Sequence, residues 1–274
     1  MFDLRWITYF ILRILKPRKA KFIWWGLDLG KWKIATKTKI LIANIFNDPI
    51  VFYTEKTKNR ILSCGLKTKN IFVANNTFYV PRSLNTTSAV DHRNFILSSG
   101  SFDKRKQHDK LVEAFALSLS DIPKKVRLVF IGDGSELDSI KRLCFNLNIA
   151  ERVHFLGRIE TPTELAKIYR KTIACASFGQ AGLAVLQSLG FGVPYITKIN
   201  AISGGEIDNI TSDYNGILCE DSVRSLANAI IKVCTDSEYT RKMRENAKEY
   251  YEISCTIENM VRGFTQAFES GDKN

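Results

Sequence analysis

Short apolar runs recur along this chain, each followed by a glycine or a polar turn and then by apolar positions at helical spacing. From Asn94 onward the alternation is regular. Strands are expected at Phe95–Ser99, Val126–Ile131 and Val153–Leu156, with helices at His108–Leu119, Glu136–Leu147 and Pro162–Tyr169. Thr161 stands where a helix cap belongs, with proline directly after it. The stretch from Ala174 to Lys198 adds a buried strand, a glycine-punctuated loop, a helix starting near Leu183 and a second strand entered through Pro194. Gly216–Leu218 is expected to be a last short strand, and Val223–Cys234, Glu238–Tyr251 and Ile257–Phe268 to be closing helices. Strands apolar throughout, separated by amphipathic helices, predict an α/β fold with a doubly wound parallel sheet covered on both faces.

The first ninety or so residues are patterned less fully. Leu4 to Leu15 is apolar almost all round, interrupted by Arg5, Thr8 and Arg13. It is too short to cross a bilayer, and no small-residue cleavage site follows it. Two readings remain: a helix buried against the rest of the chain, or an interfacial helix with Trp6, Tyr9 and Phe10 at headgroup level. Phe22–Trp25, Ile50–Tyr53 and Ile71–Val73 are short strands, and Glu55–Cys64 is a helix that Gly65 stops. Pro81–Arg93 is polar and is expected to be a linker, so the chain divides into a small first part, 1–93, and a Rossmann-like domain, 94–274.

Composition narrows the partners. The 274 residues carry a formal charge of +12, which suits phosphorylated ligands, acidic membrane surfaces or nucleic acid. Nothing resembling a recognition helix or an aromatic RNA platform accompanies that charge, so nucleic acid is set aside. The six cysteines are scattered without a C-x-x-C pair and read as reduced core thiols; neither a metal site nor a disulfide framework is expected.

In a parallel sheet the ligand lies at the carboxyl ends of the strands. Those ends carry Gly100, Gly132-Asp133-Gly134, Gly157 and Gly179-Gln180-Ala181-Gly182. The last of these opens a helix, so its N–H groups suit an anion; tight packing of a βαβ turn accounts for such glycines equally well. The run Lys104-Arg105-Lys106 after the first strand of the domain suits a diphosphate, or is simply a solvated basic turn. Glu206 follows the last strong strand and is a candidate carboxylate at the rim.

Four segments occur in order and in register: SGSFDKRKQHDKLVEAF from Ser99, VFIGDG from Val129, VHFLG from Val153 and GLAVLQSLGFGVP from Gly182. Together they resemble the donor-binding half of glycosyltransferase family 4, retaining sugar transferases of GT-B fold. The resemblance implies that 94–274 binds a nucleotide diphosphate-sugar and that 1–93 is a shortened acceptor-side domain. It assigns Lys106 to the diphosphate, with Arg105 beside it and Ser101 at the place of the family's arginine. It puts Arg158-Ile159 against the base, and the main chain of Gly179, Gln180, Ala181, Gly182 and Leu183 against sugar and phosphate. Gln187 takes the ribose position. The pattern's two glutamates are absent, because Gly179 and Gln187 occupy their places. Lys106 and Glu206 are the candidates for catalysis. The implied reaction moves a sugar to a polysaccharide or glycolipid acceptor with no metal and no cofactor besides the donor. The chain is expected in the cytoplasm, with peripheral contact at the inner face of a membrane as a further expectation. A nucleotide-sugar-binding module without turnover, or a subunit completed by a partner, is the alternative.

Overall fold

The computed structural model describes residues 5–17, 20–26, 40–63, 70–84 and 93–270. Cys64, Gly65, His92 and most of the expected linker lie outside the described residues. The chain forms two compact units: Met1–Ala74 with Met260–Asn274, and Asn75–Asn259. The sequence put a border at 93/94. The segment from Asn75 instead belongs with the second unit, where Val80 packs into the apolar cluster around Tyr169 and Leu189 and the Tyr251 hydroxyl donates to the Phe78 carbonyl.

In the first unit α1 (Arg5–Leu15), β1 (Trp24–Gly26), α2 (its described part, residues 40–45), β2 (Ile50–Phe52), α3 (Glu55–Ser63) and β3 (Ile71–Val73) follow in order. The three strands form a parallel sheet in the order β1-β2-β3. Ile40, Ile50, Phe52 and Ile61 make a small core on one face, while Val51, Ala74 and Ala267 pack on the other. Arg13 anchors α1 through Asp48, but Ile11, Leu12, Ile14 and Leu15 are 47 to 73% exposed. The expectation of a buried first helix is therefore wrong for this face. Among the described residues these four side chains stay largely open to solvent.

The second unit holds β4 (Phe95–Ser99), α4 (His108–Ser118), β5 (Arg127–Ile131), α5 (Leu137–Asn146), β6 (Val153–Phe155), α6 (Pro162–Arg170), β7 (Thr172–Ala176), α7 (Ala184–Gly190), β8 (Tyr195–Lys198), β9 (Gly216–Cys219), α8 (Val223–Thr235) and α9 (Ser237–Ser254). Helix α10 (Ile257–Ser270) carries the chain back to the first unit. The expected Thr161 cap is present, its hydroxyl accepting from the Glu164 N–H.

All pairings in the six-stranded sheet are parallel, in the order β6-β5-β4-β7-β8-β9. Period-two alternation sorts its side chains. Ile96, Leu128, Phe130, Ala174 and Ile196 face a core closed by α4, α5 and α8. Leu97, Val129, Ile131, Cys175 and Tyr195 face one closed by α6, α7 and α9. Each fully buried Leu or Phe in these layers is worth roughly 2 kcal/mol, so two-sided burial holds the register of the central strands β4, β5 and β7. The doubly wound prediction holds.

Candidate functional site

Strand order places the crevice. β4 and β7 are central neighbours, and the chain runs outward from them in opposite directions. Open parallel sheets bind ligands at the carboxyl ends of their strands where the order reverses, and here that point falls between β4 and β7.

The β4 loop ends in one 3-10 turn, Lys104–Lys106, capped by Asp103, which accepts from the Arg105 N–H. The Asp103 carboxylate also accepts from Ser101 Oγ at 2.7 Å and from Arg105 Nε and Nη2 at 3.2 and 3.0 Å. Those bonds, Arg105 first and Ser101 second, hold the Asp103 carboxyl well below the usual carboxylate range. Ser101 and Arg105, both expected on a diphosphate, thus direct their polar atoms at Asp103.

Lys106 behaves differently. Its side chain doubles back over Gly100, so a Cβ there would lie 3.2 Å from both Lys106 Cε and Nζ. The ammonium is half-buried, and no hydrogen bond or ion pair holds it among the described residues. Burial pushes its pKa down, the Arg105 charge adds to that, and the charges of Asp103 and Glu206 oppose it. A half-buried ammonium with no carboxylate in contact suits an anion.

Next to it, Gln107 takes the left-handed conformation with φ 52°, and its Oε1 is buried without a partner. Under the turn, His108 is buried against Phe102 and Phe130, with Nε2 3.3 Å from the Ser101 carbonyl. Burial lowers its pKa to about 4, so it is neutral at pH 7 and supports the turn.

The glycine loops divide by use. The Gly179 N–H donates to the Lys106 carbonyl at 3.0 Å, which ties the β7 loop to the basic turn. Ala181 N–H donates to the Ile202 carbonyl at 2.9 Å and is not free for a ligand. Gly182 has open space where a side chain would be, and the N–H groups of Gly182 and Leu183 meet no acceptor among the described residues. Gln180 is half-buried and forms a bridge with Ile202. Gly179 and Lys106 thus meet on the rim where β7 and β4 end.

Gln187 lies on α7, only 6% exposed, and its Oε1 accepts from the Tyr169 hydroxyl at 2.9 Å. Its amide NH2, and the second lone pair of Oε1, remain for other contacts. Glu206 is buried too, at 8% exposed. Its Oε1 accepts from Asn76 Nδ2 at 3.1 Å, and its Oε2 from Ser203 Oγ and the Gly204 N–H at 3.2 and 2.9 Å. It closes its own loop and sets a negative charge near Lys106. Arg158 and Ile159 follow β6, two strands from β4: Arg158 is exposed, while Ile159 leans on the apolar cluster beneath. Among the described residues no group of three or more His, Cys, Asp or Glu side chains is placed to hold a metal ion.

Sequence reading passed over Tyr169, Asn76 and Gln107. Tyr169 was absorbed into a helix pattern and Asn76 into a strand end. Only the tertiary structure shows that they position Gln187 and Glu206 or border the turn.

Comparisons with known proteins bear on the family and the fold. N-acetyl-alpha-D-glucosaminyl L-malate synthase of Bacillus anthracis is 31% identical over 156 residues, 56% of this chain and 39% of that protein. Poly(ribitol-phosphate) alpha-N-acetylglucosaminyltransferase of Staphylococcus aureus is 24% identical over 245 residues, 86% of this chain and 48% of that protein. The chain thus spans less than half the length of either relative. In fold it matches Anabaena HepE, solved in complex with UDP, with a TM-score of 0.69 at 18% identity over 96% of this chain and 74% of that one. The α/β architecture with parallel sheets is that of GT-B glycosyltransferases. The family described as Glycosyl transferases group 1 matches residues 81–250, which contain every loop of the crevice, and the chain belongs to that family.

Proposed function

We propose that this chain binds a nucleotide diphosphate-sugar at the mouth between β4 and β7. From there it transfers the sugar, with retention and without a metal, to a polysaccharide or glycolipid acceptor. The observation that carries this reading is the half-buried Lys106 ammonium, held by no hydrogen bond or ion pair among the described residues, on a turn to which the β7 loop is tied through Gly179. When the bond from the anomeric carbon to the diphosphate breaks, its electron pair stays on the diphosphate oxygen. Lys106 offsets the charge that develops there. HepE was solved with UDP, and both relatives carry an alpha-glucosaminyl group in their names, which supports a uridine nucleotide donor and an α-linked product. The exposed apolar positions of α1 support peripheral contact with a membrane, checked by co-sedimentation with anionic vesicles.

Calorimetry with UDP and a donor-turnover assay test the site. Lys106→Ala is expected to weaken UDP binding by about 10- to 100-fold, the worth of one charge-assisted contact of roughly 1.5–3 kcal/mol. Unchanged binding and turnover in that variant would remove Lys106 from the site. Turnover that survives chelator, and an α-anomeric product by NMR, complete the reading.

A second reading has its own observation. Gly179 has no side chain and Gln187 carries an amide bonded to the Tyr169 hydroxyl, so neither glutamate position offers a carboxylate. A binding module, or a subunit completed by a partner, fits this equally. UDP binding without donor hydrolysis or transfer would select it.

A further inference from the structure

Gly179 stands in a tight clamp. A Cβ there would lie 2.1 Å from the Arg105 carbonyl oxygen, 2.9 Å from the Lys106 carbonyl carbon and 2.8 Å from Gln107 Cγ. On the same side its N–H donates to the Lys106 carbonyl at 3.0 Å. On the other side its own carbonyl accepts from the Ile202 N–H at 2.8 Å. Its φ lies outside the left-handed region, so the backbone conformation alone would admit any residue. Contact with the basic turn is what excludes a side chain.

We propose that Gly179 is a positioning residue: its bare Cα lets the β7 loop seat on the backbone of the Lys104–Lys106 turn, and that seat fixes where the Lys106 ammonium stands. The inference rests on the donor-site reading above and deepens it. The Lys106 side chain folds back over Gly100 while its main chain is pinned through Gly179, so the ammonium is held from both ends of one residue. Relieving an overlap at 2.1 Å to ordinary van der Waals distance shifts the turn by about 1 Å. A displacement of that size at a charged contact can cost up to about 100-fold. The same overlap means that the sugar end of the donor meets main chain at position 179 and no carboxylate.

The experiment combines Gly179→Ala, Lys106→Ala and the double variant, with calorimetry of UDP and of uridine, which lacks the diphosphate. Gly179→Ala is expected to weaken UDP about tenfold and leave uridine within about twofold. In the Lys106→Ala background it is expected to add less than about twofold, because the group it positions is gone. Ile202→Pro, which deletes the N–H held by the Gly179 carbonyl, is expected to give a smaller loss with the same dependence on Lys106, and serves if Gly179→Ala does not fold. Equal losses with and without Lys106, or equal losses for UDP and uridine, would overturn the proposal. A wild-type chain that ignores UDP would sink the donor reading instead. The Lys106 pKa by NMR then decides the positioning claim alone: Gly179→Ala is expected to bring it back toward 10.5, and an unmoved value overturns the claim.

Discussion

The loop after β5 and the loop after β7 stand on the rim of one sheet, both rich in glycine and both lying against the turn that follows β4. In the β5 loop the glycines serve packing. Gly132 has φ +137° and a Cβ there would fall 1.8 Å from the Gly100 carbonyl oxygen; Gly134 would meet the Phe102 carbonyl oxygen at 2.5 Å. Hydrogen bonds from Gly100 N–H to the Ile131 carbonyl and from Phe102 N–H to the Asp133 carbonyl, each 2.9 Å, fill that contact. In the β7 loop the work is divided: Gly179 packs against the turn, whereas Gly182 faces open space beside free N–H groups. A glycine on the rim is therefore no sign of a ligand by itself. What separates the loops is whether the missing Cβ is replaced by protein backbone or by empty crevice.

Three substitutions sharpen this contrast. Gly132→Ala is expected to have the largest effect, a destabilisation of about 3 kcal/mol or more in urea unfolding, because a forbidden φ and a backbone overlap coincide. A loss under about 1 kcal/mol would show that the β5 loop can move away from the turn and that the contrast is overdrawn.

The second prediction concerns the turn on which both loops rest. His108 in the folded chain has a pKa lowered to about 4, below the 6.5 of the free side chain, so the unfolded chain takes up the proton first. Stability from this group is full above pH 6.5, falls as the pH drops toward 4, and falls no further below it. The whole difference is about 3 kcal/mol. His108→Phe, packed between the same rings, is expected to flatten the pH dependence of the urea midpoint across that window. A slope that persists unchanged would place the acid sensitivity elsewhere.

Gly182→Ala should do least to the fold, within roughly 0.5 kcal/mol, since nothing lies within 4 Å of the added carbon. Any loss it causes should appear in UDP affinity, by a few-fold at most. A large drop in melting temperature with unchanged UDP binding would make this glycine a packing residue like Gly132.

The sheet was legible because its signal is local. Phe95–Ser99 and Val126–Ile131 are apolar on both faces, and only a parallel sheet covered on two sides makes use of that. The site was legible in part. Lys106 and the β7 loop were recognisable from residue type and place. Nothing local separated Lys106 from Arg105, though the first stands free and the second is bound to Asp103. Glu206 looked like a rim carboxylate because the sequence does not show Asn76, Ser203 and the Gly204 N–H around it. The α1 run left two readings open, for an apolar run says that burial is favourable and not what covers the helix.

By itself the sequence determined the order and kind of elements, the rim on which the chemistry-bearing residues fall, and the absence of carboxylates at positions 179 and 187. Side-chain periodicity and composition settle those matters within a few neighbouring residues. Only the tertiary structure decided which polar groups are already satisfied and which are left for a ligand. That depends on groups distant in the chain, such as Gly179 against the Arg105 carbonyl, Tyr169 against Gln187 and Asn76 against Glu206, which meet only after the strands have paired.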